Sequence, residues 1–232
     1  MPFTRSSGDG VATITFDDGK VNAFDLDFFA DLNEALDASA SDDAVVLVGR
    51  PGMFSAGLNM KVMTSGDVTA MTELLVAFGR TMLRVWTEPR AVVAAVTGHA
   101  VAGGTFLSMA ADHSVAAAGE FRWGLIETTI NFPLPLWGIT LARGNLRSDR
   151  LDDLILPGRT VGPDDAVAVG FTDELADPAA VIERAHQHAL ELTKLTRGVY
   201  AETKRRLRGP AADEARAGIA DDTAAVLNMA GL

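Results

Sequence analysis

The sequence predicts an α/β fold. Strand candidates alternate with helical stretches along the first 130 or so residues, a pattern that builds layered α/β domains. Two of the strands are short apolar runs that read as fully buried. Each of these ends in a glycine-containing turn that leads toward a helix.

The elements follow in order. Val11–Phe16 is the first strand candidate. Asp25–Ser39 reads as a helix, with Leu26, Phe29, Leu32 and Leu36 at helical spacing. Ala44–Gly49 is a buried strand, followed by the small-residue turn Phe54-Ser55-Ala56-Gly57-Leu58-Asn59-Met60-Lys61. Val68–Thr87 carries Met71, Leu74, Leu75, Phe78, Met82, Leu83 and Val85 on a helical stripe, and Pro89 ends that helix. Ala91–Val96 is the most apolar strand; it breaks at Thr97-Gly98-His99 and again at Ala102-Gly103-Gly104, before a helix from about Thr105. His113–Ala116 and a short Phe121–Trp123 complete the strands. Beyond residue 136 the reading is helical: Leu136–Arg143, Asp149–Leu154, Pro163–Val169, Pro178–Thr193, Val199–Leu207 and Ala211–Met229, with no strong strand. Asp177-Pro178 is a turn and helix start rather than a domain boundary.

Composition narrows the function. The 232 residues fit one domain, or one domain with a helical appendage, and suffice for a sizeable core. The absence of cysteine removes disulfides and thiolate chemistry. A formal charge of −11 argues against a nucleic-acid or anionic-membrane partner, so an anionic ligand needs local cations or N–H donors. Met1–Gly10 is polar and does not read as a signal peptide. The apolar zone 91–118 is interrupted by Thr97, His99 and Asp112 and is too short to span a bilayer, which leaves a cytoplasmic protein as the expectation.

The two glycine turns are the chemically suggestive part. A strand, a glycine turn and a helix N-terminus aim free backbone N–H groups at one point. Two such donors converging on a carbonyl oxygen make an oxyanion hole. Tight packing alone would also explain either turn.

Together, FSAGLNMK (54–61) and VTGHAVAGGTFLSMAAD (96–112) resemble the two signature segments of the enoyl-CoA hydratase/isomerase, or crotonase, superfamily. Further echoes run along the chain. Val11–Phe16 with Val21-Asn22-Ala23 resembles the family's first strand and Asn-Ala turn, and Asp112 the residue closing its second signature. Trp123–Pro135, Leu156-Pro157-Gly158-Arg159 and Ala166–Phe171 resemble its later segments. The resemblance implies a spiral of repeated ββα units over about residues 1–190, and a helical C-terminal region, 191–232, that makes trimer contacts and covers the site. It implies a homotrimer or a dimer of trimers acting on an acyl-CoA thioester, as in fatty acid metabolism. No cofactor is implied beyond the CoA that the substrate carries.

The same resemblance places the oxyanion donors at the backbone N–H of Leu58 and of Gly103. Family hydratases share acid/base work between two glutamates. At the first of these positions stands Phe106, which cannot move a proton and reads as part of the acyl-binding wall. The second is met by Glu127, in Gly124-Leu125-Ile126-Glu127-Thr128-Thr129-Ile130. Apolar neighbours would raise its pKa toward neutrality, whereas the blander reading is a solvated loop carboxylate. Asn131 and the run Phe132-Pro133-Leu134-Pro135 depart from the family's Gly/Pro turn. A single carboxylate suits movement of a double bond from the 3,4 to the 2,3 position, because one base can take a proton at C2 and return it at C4. Hydration commonly uses two groups. An acyl-CoA-binding protein with impaired chemistry is the alternative, and another thioester reaction on the same oxyanion hole stays open.

Other candidates are weaker. Ala56, Gly57 and Gly104 belong to the turns and could contact substrate, with backbone carbonyls near Ala56 and Leu58 implied to read the adenine. Lys61 could approach the CoA phosphates. His99 is a candidate for substrate contact, although a satisfied structural histidine is the plainer reading. Lys204-Arg205-Arg206 with Arg208 reads as a solvated helix face, or as a phosphate contact. Ser55 and Ser108 raise the Clp-type peptidases of the same fold, but neither sits in a nucleophile turn. His113 belongs to a strand, His186 and His188 read as solvated on a polar helix, and no His/Asp/Glu group has metal-ligand spacing.

Overall fold

A computed structural model of the chain describes residues 3–231. Thirteen of its elements belong to the spiral's strands and their first helices. They are β1 (Phe3–Gly8), β2 (Val11–Phe16), β3 (Ala23–Phe24), α1 (Leu26–Ala38), β4 (Ala44–Val48), β5 (Gly52–Ser55), β6 (Gly57–Leu58), α2 (Met60–Met63), α3 (Val68–Trp86), β7 (Ala91–Val96), β8 (Gly98–Val101), α4 (Gly103–Ala110) and β9 (His113–Ala117). Then come β10 (Trp123–Gly124), a 3-10 turn (Glu127–Ile130), α5 (Leu136–Asn145), α6 (Leu151–Ile155), α7 (Pro163–Val169), β11 (Glu174–Ala176), α8 (Val181–Thr193) and α9 (Arg197–Met229).

The strands form sheets in the order β1-β2-β4-β7-β9-β11, β10-β8-β5 and β3-β6. Among the described residues, β1–β2 is the only antiparallel strand pair, beside isolated antiparallel bridges. Successive units thus send one strand to the large sheet and the next to a small sheet before a helix, which is the spiral that the family resemblance implies. In the large sheet, side chains alternate between two cores. Val45, Leu47, Val92, Ala94 and Val96 face the main core with α1, α3 and α4. Val46, Val48, Val93, Ala95 and Val115 face Val181, Ala185 and Ala189 of α8. Asp25 and Asp67 cap α1 and α3 by accepting from Phe28 N–H (2.9 Å) and Ala70 N–H (3.0 Å).

The short strands β3, β5, β6 and β8 lie in or beside stretches read as turns, and three further elements differ from the sequence reading. Residues 3–8 of the polar N-terminal stretch form β1, joined to β2 by Asp9-Gly10 with φ of 53° and 78° (Met1 and Pro2 lie outside the described residues). An Asp-Gly pair with both φ positive matches the twist of a hairpin. Beyond residue 136 there is a strand after all: β11 adds to the edge of the large sheet by pairing in parallel with β9. Its three half-buried residues show no alternation to read. The two C-terminal helices predicted on either side of Pro210 are one helix, α9. Pro210 and Arg206 are both exposed, so water can satisfy the carbonyl that the proline leaves without a donor. Among the described residues no helix is long and apolar enough to cross a membrane.

Candidate active site

The site grows from two turns held together by buried polar groups. Asn22, with φ of 50° and no exposure, donates from its side-chain amide to Phe16 O (3.2 Å) and Phe54 O (3.1 Å). Its own carbonyl accepts from Ser55 Oγ at 2.7 Å, and Ser55 Oγ accepts from Gly57 N–H at 3.0 Å. The Ser55 hydroxyl is therefore committed to shaping the first turn. Asn59 N–H donates to Phe24 O at 2.8 Å. Amides alternate sides along a strand, so the N–H of Leu58 points away from β3.

The second turn is pinned from β10. Ala102, with φ of 51°, donates to Gly124 O at 2.8 Å. Thr105 Oγ1 donates to Ala100 O (2.7 Å) and accepts from Gly124 N–H (3.2 Å). Gly103 then begins α4, where the first N–H groups of a helix have no intrahelical acceptor. A Cβ on Gly104 would lie 2.3 Å from Ser55 O, so α4 can sit on the first turn only because that residue is glycine.

Beside these turns lies a cavity of about 660 Å³. Ala56, Leu58, Ala102 and Gly103 form one side of it. Phe106, Phe78, Leu75, Phe132 and Ala230 supply apolar wall, and Glu127 is the only titratable side chain among the described residues lining it. Phe106 has no exposure and packs edge-on to Phe78 and against Trp137, with ring centroids 5.9 and 4.9 Å apart. Glu127 is 8% exposed, and its Oε2 is buried without a hydrogen-bond partner. Loss of hydration pushes its pKa up to about 7, against a small opposing pull from its own backbone amide. The 3-10 turn that carries it is braced: Phe132 N–H donates to Glu127 O (3.0 Å), and Asn131 closes the turn with φ of 59°. The solvated alternative for Glu127 is thereby removed.

The structure thus brings Ala56, Leu58, Gly103, Phe106 and Glu127 to one cavity. The other candidates lie elsewhere. Gly57 and Gly104 sit behind the lining, in the contact between the turns. Lys61 is exposed on α2. His99, on β8, accepts from Arg122 N–H (3.2 Å) and packs edge-on to Phe121, which is a structural role. The basic run of α9 is split. Lys204 is buried on Glu88 O, Arg90 O and Asp112, Arg208 holds Asp112 and Trp86 O, and exposed Arg205 and Arg206 pair with Glu202. His186 and His188 are half-buried rather than solvated, because the small ridge Val181-Ala185-Ala189 lets α8 lie close on the sheet. Sequence reasoning missed Phe132, Ala230 and the cavity face of α3. The α3 stripe was legible as core, but nothing in its spacing says which part of it borders a void.

The enoyl-CoA hydratase/isomerase family model matches residues 6–228. The chain belongs to that family. A putative enoyl-CoA hydratase of Thermus thermophilus is 36% identical over 169 residues, covering 70% of this chain and 66% of the relative. The mitochondrial enoyl-CoA delta isomerase 1 of Homo sapiens is 26% identical over 203 residues, covering 81% of this chain and 67% of the relative. The chain thus aligns with about two thirds of each of these relatives' length. Among solved structures, enoyl-CoA hydratase EchA3 of Mycobacterium ulcerans superposes with a TM-score of 0.93 at 33% identity, covering 98% of this chain and all of that one. An enoyl-CoA isomerase of Mycobacterium tuberculosis superposes at 0.91, also with 33% identity, over 97% of this chain and 98% of that one.

Proposed function

We propose that this family member moves a double bond of an enoyl-CoA thioester from the 3,4 to the 2,3 position, using Glu127 as its one acid/base group. The observation that carries this is Glu127, the one titratable side chain among the described residues lining a mostly apolar cavity, with its Oε2 buried and without a hydrogen-bond partner. In the reaction, the ionised Glu127 takes a proton from C2. The electron pair passes into the thioester oxygen, and the N–H groups of Leu58 and Gly103 stabilise that charge by roughly 3 kcal/mol each. The enolate collapses with its double bond at 2,3 while Glu127 returns the proton to C4. Phe106 stands where the resemblance places the family's other glutamate, which disfavours hydration because no second group is there to hold the water. Relatives bearing both names, hydratase and isomerase, are consistent with either outcome. Ala56 and exposed Lys61 would meet the CoA moiety at the mouth, in a homotrimer or a dimer of trimers.

The second reading, an acyl-CoA binder without turnover, is favoured by Phe106 alone. Both are tested by supplying a 3-enoyl-CoA and, separately, a 2-enoyl-CoA, and following ultraviolet absorbance of the conjugated thioester. A rise with the first that is lost in Glu127→Gln supports isomerisation. A fall with the second means hydration. No change with either, over several chain lengths, leaves binding or another thioester reaction.

A further inference from the structure

A second cluster lies under α8, on the sheet face opposite the main core. His113 of β9 shares the face of Val115 and Ala117, both packed against α8. Glu174 pairs in register with Val115 and so projects to the same side. His188 comes down from α8 beside the ridge residues Ala185 and Ala189. Three elements that are remote in sequence therefore bring two imidazoles and a carboxylate together, with one ligand-type atom of each lying within 4.8 Å of the others.

The chemistry of the cluster is unfinished. The rings of His113 and His188 stack with centroids 3.6 Å apart and 15° between planes. Nε2 of His113 is buried without a hydrogen-bond partner, and it lies 3.6 Å from Glu174 Oε2. Burying an imidazole nitrogen without a partner is unfavourable unless something completes it. Arg184 holds Glu174 mainly through Oε1, at 2.5 Å, with a longer 3.2 Å contact to Oε2. Oε2 is thus the oxygen a cation could take while Arg184 keeps the other. On the far side of the His113 ring, Nδ1 lies 3.9 Å from Asp173 Oδ2, and Asp173 is itself fixed by Ser114 N–H (2.8 Å) and Ser114 Oγ (2.9 Å). At 3.9 Å this is not yet a hydrogen bond, but it leaves a carboxylate within a short shift of the ring nitrogen that a metal-binding imidazole commonly pairs with one.

We propose that His113, Glu174 and His188 form a binding site for a divalent cation of the zinc class, clamping α8 to β9 and the edge strand β11. Two nitrogens and one oxygen suit zinc and its neighbours rather than magnesium or calcium, which favour all-oxygen shells. In a tetrahedron with bonds of about 2.0–2.1 Å the ligands stand about 3.4 Å apart, close to the His113–Glu174 spacing. The stacked rings of His113 and His188 must turn out of parallel for both lone pairs to meet at one ion, a side-chain rotation open to them because all three residues are only half-buried, and solvent can supply the fourth ligand. The site is independent of the reaction proposed for the cavity.

The test uses the untagged full-length protein, stripped with a chelator and titrated with Zn²⁺ by calorimetry and with Co²⁺ by visible absorption. One ion per chain, a four-coordinate cobalt spectrum and a raised melting temperature with Zn²⁺ are expected. His188→Gln should weaken binding at least about tenfold, the lower end of what losing even a supporting partner does. His186→Gln, whose ring contacts Thr13 Oγ1 instead, should leave it unchanged. If His188→Gln fails to fold, Glu174→Gln is read the same way. Absence of binding to the unaltered protein, or binding indifferent to both substitutions, overturns the proposal.

Discussion

Gly57 and Gly103 meet backbone to backbone: a Cβ on Gly57 would lie 2.8 Å from the amide nitrogen of Gly103. Gly57 also has φ of +93°, a conformation that side chains disfavour. Gly57→Ala is thus expected to lose about 1–3 kcal/mol of stability from strain. It should also push the two turns apart, and misplacement of this order lowers turnover about 100-fold. Urea denaturation and steady-state kinetics with a 3-enoyl-CoA check the two parts separately. Stability lost with turnover kept would mean the turns do not hold the reacting oxygen.

Glu127→Gln keeps shape and removes the base, so kcat should fall by about 10²–10⁴. In the unaltered protein the rate should climb about tenfold per pH unit and level off above pH about 7, because the ionised form is the base. A flat profile from pH 5 to 8 would dismiss Glu127 as the base.

The same carboxyl sets a stability trade. Its folded pKa, about 7, lies above the ordinary 4.5. Below 4.5 both states are protonated and the group contributes nothing. Between 4.5 and 7 the folded state binds the extra proton, so stability falls as pH rises, and above 7 the loss, on the order of 3 kcal/mol, is complete. Glu127→Gln should therefore melt higher than the unaltered protein at pH 8 and at the same temperature at pH 4.5. Equal melting temperatures at both would show that Glu127 is hydrated.

How much of this was legible in the sequence depends on the range of the interactions involved. Ala91–Val96 is a strand because six consecutive apolar residues must be buried on both faces, and that shows in one dimension. The turns at 54–61 and 96–112 were readable because close backbone approach needs glycine at fixed positions, as Gly57 and Gly104 demonstrate. β11 and the His113–Glu174–His188 cluster are not readable, since β11 exists only through pairing with β9 and the cluster also needs α8 packed on the sheet. In sequence Lys204 reads as part of a charged face, and only the path of α9 shows its ammonium beside the start of β7. The resemblance places Phe106 at the site, and Trp137 and Phe78 reveal how firmly it is packed there.

Pro210 gives a prediction in the stabilising direction. It is exposed inside α9 and already helical, so Pro210→Ala restores a backbone donor without disturbing any packing. The gain has an upper bound of about 3 kcal/mol, the helix-interior penalty of proline. A melting temperature unchanged or lowered would mean that the proline sets a bend on which the packing of α9 against α3 and α5 depends.

Lys204 is expected to work the other way. Its ammonium donates to Glu88 O (2.7 Å), Arg90 O (2.7 Å) and Asp112 Oδ2 (2.5 Å), tying α9 to the start of β7. Lys204→Met leaves two carbonyls and one carboxylate oxygen without that donor, while Arg208 still holds Asp112 through Oδ1 at 2.8 Å. Breaking one partner of a buried pair costs about 3–5 kcal/mol, and the remaining Arg208 contact argues for the lower end. Because the C-terminal end of α9 brings Ala230 to the cavity, loosening the helix should also raise KM more than it lowers kcat. Denaturation of Lys204→Met, with amide exchange along α9, separates a detached helix from a generally weakened core. Protection lost from α9 before the strands is the expected pattern, and uniform loss would place the defect in the sheet.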